Sequence, residues 1–479
     1  MAADVELTSD NDLAINAAIN SRNVRLVALG NVSQSATGLI TADGLAVDAN
    51  GTATLGEANN VATLAVQDVL SLLFNTEIAL TIDSVTVNGN AVDNVTAVND
   101  VTITALSISD GDSVPDGPAA DITGDNVTLT ATGGSIGVAG DIFQGTVNQL
   151  EVQAGGDLVA SATAAIALNA NVVGTVTLTS PSLVLISDGV LNIDDLVVTD
   201  DLRIEAADVV ANDGSIDITA NRMLFVSGAA ETINTTVGTL DVRTAGDLTV
   251  NSTIAVELLD LDGDNVALAT TTSDGSIALT APGTITVSDD VIAGLDATTT
   301  STGSITLTAS GAASDLIIND AILTDTGIIQ LSADDNVRIG DVATLSPNDN
   351  LVAPNDDDLF LVTTTTGNIT IAADANIVGG GELFMGNNAR VIAGRDATTD
   401  YDPNSGGLAS TSIISLRGSS LGSGLAEVEM SAADTVRLGS VQSANSTVDA
   451  VRITSRDSEI LDGGNAEIDI IANFAGGLV

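Results

Sequence analysis

The chain has 479 residues, of which 44% are hydrophobic but only 1% aromatic. One globular core normally supports about 250–300 residues, so this length predicts either several domains or an elongated repeat architecture. A wide core relies on bulky rings to fill its volume, whereas a narrow core of stacked Val, Ile, Leu and Ala does not need them. The composition therefore favours a repeat architecture.

The charge excludes several classes of partner. Twelve basic residues, all of them arginine, face 64 acidic residues and give a formal net charge of −52. Such a surface repels nucleic acid and anionic membranes. No apolar stretch reaches the length of about 18 residues that spans a bilayer. We expect no nucleic-acid partner and no membrane insertion.

The strand pattern is the main signal along the chain. Val127–Ala131, Val176–Thr179 and Ile305–Ala309 alternate apolar residues with threonine, which predicts strands with one buried and one wet face. Gly-Ser-Ile recurs from Gly134, Gly214, Gly275 and Gly303, and Gly-Asp-Leu recurs from Gly156 and Gly246. Asn-Gly and Asp-Gly turns are too scattered to close a series of hairpins, so like strands are expected to stack in parallel. We predict an all-β fold, a parallel β-solenoid with roughly 20 residues per coil.

Residues 1–479 show no composition shift, so we expect a single continuous solenoid. Val66–Ile82 is unusually apolar and leaves two alternatives open, a helical or capping turn and one or two coils of buried strands. Segments near 113–118, 346–358 and 395–407 are rich in Pro and Asp, which predicts protruding loops.

The side chains of common catalysts are missing. The chain has no His, Cys or Lys, so imidazole bases, thiolates and Schiff-base lysines are unavailable. Only carboxylate pairs could perform acid–base chemistry, as in glycosidases. We expect no enzymatic activity. The candidate pairs are Asp194–Asp195, Asp200–Asp201, Asp289–Asp290 and Asp334–Asp335.

Calcium is the one cofactor that the sequence suggests. Two acidic clusters carry the hard oxygen ligands that Ca²⁺ prefers, although neither matches an EF-hand loop. Ordinary Asp-rich turns are the alternative explanation for both clusters. The candidate ligands are Asp260, Asp262, Asp264, Asp356, Asp357 and Asp358.

Repeat phrasing at both ends resembles a known family. It runs through residues 30–35, 38–42, 45–47, 54–56 and 59–64, and it returns at 436–441 and 460–464. These stretches resemble the repeats of filamentous-haemagglutinin-like adhesins and giant repetitive bacterial surface proteins. The resemblance implies a right-handed β-helix, export to the cell surface or beyond, and a role as stalk, adhesin or matrix fibre.

The two ends suggest how such a solenoid could assemble. Strand-like residues lie close to both termini, and an exposed strand edge is a template for pairing with another chain. We expect either continuation in a longer chain or a filament built by head-to-tail contacts. The start at Met1–Asp4 also lacks a signal peptide, which predicts a mature piece or fragment if the chain is exported. The predicted assembly residues are Val5, Leu7, Ile468, Ile470 and Phe474.

The leading hypothesis is an extracellular or cell-surface structural protein, a stalk or filament subunit. Its rival is an adhesin that binds host or matrix glycans through loops near Pro347, Pro354 and Pro403.

Overall fold

The computed structural model describes most of the chain up to residue 340 and short segments beyond it. The described ranges are 3–111, 120–137, 142–143, 149–193, 195–211, 216–295, 301–324, 326–340, 361–364, 369–373, 383–385, 390–393, 428–432, 436–438, 440–443, 451–455, 459–462 and 470–472. All the helices and strands in these ranges are β-strands. Residue contacts divide the chain into two compact units, Met1–Asn221 and Arg222–Val479.

The strands are short and closely spaced. The first unit contains β1 Val5–Ser9, β2 Leu13–Ile15, β3 Ile19–Asn20, β4 Asn23–Ala28, β5 Val32–Gln34, β6 Ile40–Ala49, β7 Ala53–Val69, β8 Leu72–Thr76, β9 Ala79–Ile82, β10 Val85–Val87, β11 Asn90–Val92, β12 Val95–Ala97, β13 Val101–Ala105, β14 Ser107–Asp110, β15 Ile122–Gly124, β16 Val127–Ala131, β17 Leu150–Ala154, β18 Leu158–Ala162, β19 Ala165–Val172, β20 Val176–Thr179, β21 Ser182–Asn192, β22 Asp195–Val197 and β23 Asp201–Val210. The boundary between the units falls within β24 Ile216–Ser227.

The second unit continues with β25 Glu231–Thr244, β26 Leu248–Ser252, β27 Val256–Leu258, β28 Val266–Thr270, β29 Ile277–Ala281, β30 Ile285–Val287, β31 Asp290–Ala293, β32 Ile305–Ala309, β33 Leu316–Ile318, β34 Ile322–Thr324, β35 Ile329–Ala333, β36 Val337–Ile339, β37 Leu361–Thr364, β38 Ile369–Ala373, β39 Leu383–Met385, β40 Arg390–Ala393, β41 Val428–Ala432, β42 Val436–Leu438, β43 Ser440–Ser443, β44 Val451–Ser455, β45 Ile460–Asp462 and β46 Ile470–Ala472.

Strands of the first unit pair in parallel with strands one repeat away. Val5 pairs with Val24, Val24 with Leu45 and Leu45 with Leu64, at intervals of 19 (24−5), 21 (45−24) and 19 (64−45) residues. The predicted repeat of about 20 residues therefore holds at the start. Later intervals reach 31 residues, as between Val127 and Leu158 (158−127), because longer connections separate the paired strands.

The second unit follows one pairing rule. Each strand from β26 to β43 pairs in parallel with the strand three places later, so three ladders run side by side through this unit. A three-strand repeat buries one face of every strand against its neighbours, although no single repeat could form a core alone.

The core comes from the alternating pattern that the sequence predicted. In β13 the side chains of Val101, Ile103 and Ala105 are fully buried, while Thr102 and Thr104 between them remain partly exposed. The equivalent positions of β16 repeat this arrangement in register. Stacking like residue on like residue produces a narrow aliphatic core, which explains how the chain folds with so few aromatic rings.

Hydrogen-bonded side chains connect successive repeats at the turns that precede strands, an arrangement that we call the turn ladder. Asn126 Nδ2 donates to Asp100 Oδ1 at 2.9 Å, Asp157 N donates to Asn126 Oδ1 at 3.1 Å, and Thr175 N donates to Asp157 Oδ1 at 2.8 Å. Each acceptor thereby satisfies a backbone or side-chain donor one repeat later. The same ladder runs through Asp12, Asn31 and Thr52, and through Asp247, Ser276, Ser304 and Ile328.

The turn ladder explains why glycine precedes so many of these residues. A Cβ on Gly174 would lie 2.3 Å from Asp157 Oδ1, and a Cβ on Gly156 would lie 2.5 Å from Asn126 Oδ1. The preceding repeat's side-chain oxygen therefore fills the space that a Cβ would need. The recurring Gly-Asp-Leu and Gly-Ser-Ile phrases are the sequence record of this close approach.

Two further segments complete the first unit. The apolar stretch Val66–Ile82 forms the end of β7 together with β8 and β9, so of the two alternatives for this stretch, the buried strands are correct. The sequence did not predict the antiparallel hairpin of β10 and β11, which turns at Asn88 and Gly89, both with positive φ. Its valines pack in one buried cluster with two alanines of the large sheet, Ala46 and Ala65.

The prediction of an all-β fold dominated by parallel strands is confirmed. The three predicted loops fall almost entirely outside the described residues, and a single continuous solenoid stays a prediction. No helix capable of crossing a membrane occurs within the described ranges.

A pair of glycine substitutions tests the close approach at the turns. Gly174→Ala is expected to lower the free energy of unfolding by about 1–3 kcal/mol, since the new methyl group overlaps Asp157 Oδ1. Gly56→Ala is the matched control, because its Cβ would meet only the flexible Leu73 side chain at 3.2 Å. Urea denaturation measures both variants. Equal stability of the two would contradict the proposed packing.

Candidate functional site

The described part of the second unit contains an acidic turn, Asp260–Asn265, between β27 and β28. Its carboxylates bind the turn's own backbone. Asp260 accepts hydrogen bonds from Gly263 N at 2.6 Å and Asn265 N at 2.8 Å, and Asp262 Oδ1 accepts one from Asp264 N at 3.1 Å. Gly263 and Asn265 have positive φ, which glycine and asparagine adopt most readily. The turn's Asp, Gly and Asn residues therefore each serve its conformation.

Carboxylates from the preceding and following repeats hold the acidic turn on both sides. Asp241 Oδ2, on β25, accepts a hydrogen bond from Leu261 N at 2.8 Å. Asp289 Oδ2, just before β31, accepts one from Asp260 N at 2.8 Å. The acidic turn is thus fixed by donors and acceptors that come from three successive repeats.

One arginine offsets part of the negative charge. Arg243, on β25, forms an ion pair with Asp264, and its Nη2 lies 3.9 Å from Asp262 Oδ2. Asp264 Oδ1 also accepts a hydrogen bond from Val266 N at 2.9 Å, at the start of β28.

Three carboxylates approach one another at the acidic turn. Ligand oxygens of Asp241, Asp260 and Asp262 all lie within 4.8 Å of each other. Asp241 is only 1% exposed, and burial is the main cause that raises its pKa to about 7. The charges of Asp260 and Asp262 raise it further, while the Leu261 amide and Arg243 oppose the shift.

Asp289 behaves in the same way. Burial raises its pKa to about 6, against the hydrogen bond from the Asp260 amide, with smaller contributions from neighbouring carboxylates. These neighbours are Asp320, Asp260 and Glu257. The acidic turn therefore contains two carboxyl groups that hold a proton more tightly than ordinary aspartates.

The arrangement has two chemical uses. Three clustered carboxylates are hard oxygen ligands of the kind that calcium takes in sets of about six to eight. Each of them already accepts at least one backbone amide, however, so their visible role is to build and hold the turn. Calcium binding at this turn stays a prediction.

The structure brings together only part of the predicted calcium site. Asp260 and Asp262 lie in the three-carboxylate group, whereas Asp264 pairs with Arg243. Sequence reasoning missed Asp241, which lies 19 residues before Asp260 (260−241). That interval is one repeat of the first unit's length, and it was the available signal. The remaining candidates, Asp356, Asp357 and Asp358, lie outside the described residues.

The other predicted residues are placed only in part. Val5 and Leu7 lie on β1, paired in register with Val24 and Leu26, and Ile470 lies on β46. Ile468, Phe474 and the prolines of the adhesin hypothesis lie outside the described residues.

Among the candidate carboxylate pairs, Asp290 Oδ1 accepts a hydrogen bond from Ala321 N at 3.2 Å and Asp334 Oδ2 accepts one from Gly311 N at 2.7 Å. Together with Asp289, these carboxylates bind backbone amides of other repeats.

Comparisons with known proteins return no match to a family model, a curated protein or a solved structure.

The raised pKa of Asp241 gives the stability a specific pH dependence. Between its ordinary pKa of 3.8 and the folded value of about 7, the folded chain holds a proton that the unfolded chain releases. This carboxyl group therefore contributes most to stability below pH 3.8, and its contribution falls as pH rises to about 7. The loss is on the order of 4 kcal/mol.

Asp241→Asn should remove this dependence and keep an oxygen for the Leu261 amide. Urea denaturation at several pH values compares variant with wild type. We expect the variant to gain stability relative to wild type as pH rises through this window. Parallel pH curves for the two proteins would contradict the assignment.

Proposed function

We propose that the chain is an extracellular structural protein, a right-handed β-solenoid that serves as a surface stalk or as a head-to-tail filament subunit. The observation that carries the proposal is the three-strand pairing rule, which continues from β26 to β46 in the second unit. A repeat that contacts only its neighbours is a way of building length, and length is what a stalk or filament requires.

The chemistry of the chain supports a role that does not depend on catalysis. No His, Cys or Lys is present, and the described candidate carboxylates Asp289, Asp290 and Asp334 bind backbone amides. In this proposal calcium is the only candidate cofactor, at the acidic turn. The high negative charge keeps such a molecule soluble at high concentration and away from nucleic acid and anionic membranes.

The first strand supports the head-to-tail form of the proposal. Val5 and Leu7 on β1 are only half-buried, whereas their in-register partners Val24 and Leu26 on β4 are fully buried. Another strand placed against β1 would cover these two side chains as β6 covers β4. An added strand of this kind is the standard route of pairing at a sheet edge.

Negative-stain electron microscopy of the purified chain, with and without calcium, tests the proposal. Long uniform fibres are expected if subunits join end to end. Leu7→Asp should shorten or abolish the fibres because a charge then enters the joint. Asn171→Asp, at an exposed position of β19, is the control and should leave the fibres intact. Compact particles with no elongation in any condition would overturn both the filament and the stalk.

A further inference from the structure

One exposed face in each unit carries no charge, although 64 of 479 residues are acidic. In the first unit, the outward positions of β2, β5, β7, β8, β13, β16, β18 and β20 stand in register, and we call them the neutral strip. Its members are Ala14, Ser33, Thr54, Leu73, Asn75, Thr102, Thr104, Thr128, Thr130, Val159, Ser161, Thr177 and Thr179.

The neutral strip is open to solvent. Leu73 and Val159 are each 41% exposed, and Thr54 and Thr177 are exposed as well. Apolar residues of this size on a regular sheet face favour contact with another surface.

The second unit has a neutral strip of its own. It follows β25, β26, β29, β32, β35 and β38 in register and is again built from Thr, Ser, Asn, Gln and Ala. Its members are Thr232, Asn234, Thr249, Asn251, Ala278, Thr280, Thr306, Thr308, Gln330, Ser332, Thr370 and Ala372.

Charge is not excluded from the other outward positions. In the first unit, several strands outside the neutral strip place charged residues at positions between core residues. These are Glu6, Arg25, Asp48, Glu151, Arg203, Glu205 and Asp217. The absence of charge is therefore a property of one face and not of strand positions in general.

We propose that the neutral strips are the surfaces through which two copies of this chain pack side by side. Each copy carries a formal charge of −52, so close approach is least opposed where no carboxylate lies. Sheets pack face to face at about 10 Å, and ladders of identical Thr and Asn side chains interdigitate well in such interfaces. A polysaccharide partner is disfavoured because no aromatic ring lies on either strip for a sugar to stack on.

The size of the strip sets the strength of the pairing. Eight strands at about 4.8 Å and a width of about four residues give roughly 500 Å² in the first unit. A stable interface buries about 800 Å² per partner, so pairing through this strip alone is weak. Many aligned strips in a filament would multiply the effect.

Salt should control the pairing. Asp100 and Asp157 stand in the turn ladder directly before the strip strands β13 and β18. Their repulsion across the interface extends about 30 Å at an ionic strength of 0.01 M but only about 3 Å at 1 M. Side-by-side association therefore increases with salt.

Sedimentation velocity at about 0.01 M and about 1 M sodium chloride tests this inference. The strip variant places two glutamates in each strip. The control variant places the same number of glutamates on exposed or half-exposed positions elsewhere, so the added net charge is equal. A third variant carries glutamine in place of glutamate. The strip variant is T54E/T128E/T249E/T306E, the control is T41E/N171E/T253E/T286E, and the third is T54Q/T128Q/T249Q/T306Q.

Wild type, control and glutamine variant should each show a sedimentation coefficient that rises with protein concentration at high salt only. The strip variant should stay monomeric in both salts while keeping the wild-type circular dichroism spectrum. Association of the strip variant equal to wild type would overturn the inference, as would a wild type that never associates.

The inference deepens the proposed structural role and rests on it, but electron microscopy separates their failures. Loss of side-by-side pairs with intact single fibres contradicts only the neutral strips. Pairs of short particles without fibres contradict only the head-to-tail joint.

Discussion

The structure depends on the in-register parallel stacking of short strands, because each strand finds its hydrogen-bond partners and its apolar neighbours only in adjacent repeats. The turn ladder extends this dependence to the connections. Asn126 binds a side chain of the preceding repeat and a backbone amide of the following one. A shift of one residue would expose the core face and break these bonds at the same time. Register is thus specified twice, by the core and by the turns.

The same constraint accounts for the composition. Threonine occupies outward strand positions, where a β-branched side chain suits the pleated surface. Aspartate, asparagine and serine supply the oxygens of the turn ladder, and glycine leaves room for them. Much of the acidic excess therefore has a local use in the turns, as Asp157 and Asp260 show. Where the turns carry the charge, one face of each unit is left without it, and this separation makes side-by-side packing conceivable for so acidic a molecule.

Much of the fold could be predicted from the sequence, because alternation of Val and Ile with Thr reports directly on a strand with one buried face. Val127–Ala131 and Ile305–Ala309 form strands as expected. The hairpin at Asn88 and Gly89 was missed because a general argument against hairpins outweighed one local Asn-Gly signal. Asp241 was missed for a different reason. A single aspartate within a strand looks unremarkable until the register places it beside Asp260 and Asp262, and local sequence does not give that register.

Disulfide cross-linking tests the central claim of in-register stacking most directly, since the chain has no native cysteine. Thr102 and Thr128 are 26 residues apart (128−102) but paired in register. Adjacent strands lie about 4.8 Å apart, within the range of about 4.4–6.8 Å that a disulfide spans. Thr102 and Thr130 are offset by two residues and lie about 8 Å apart. Oxidation should cross-link T102C/T128C efficiently and T102C/T130C poorly. Preferential cross-linking of the offset pair, or none in either, would contradict the stacking.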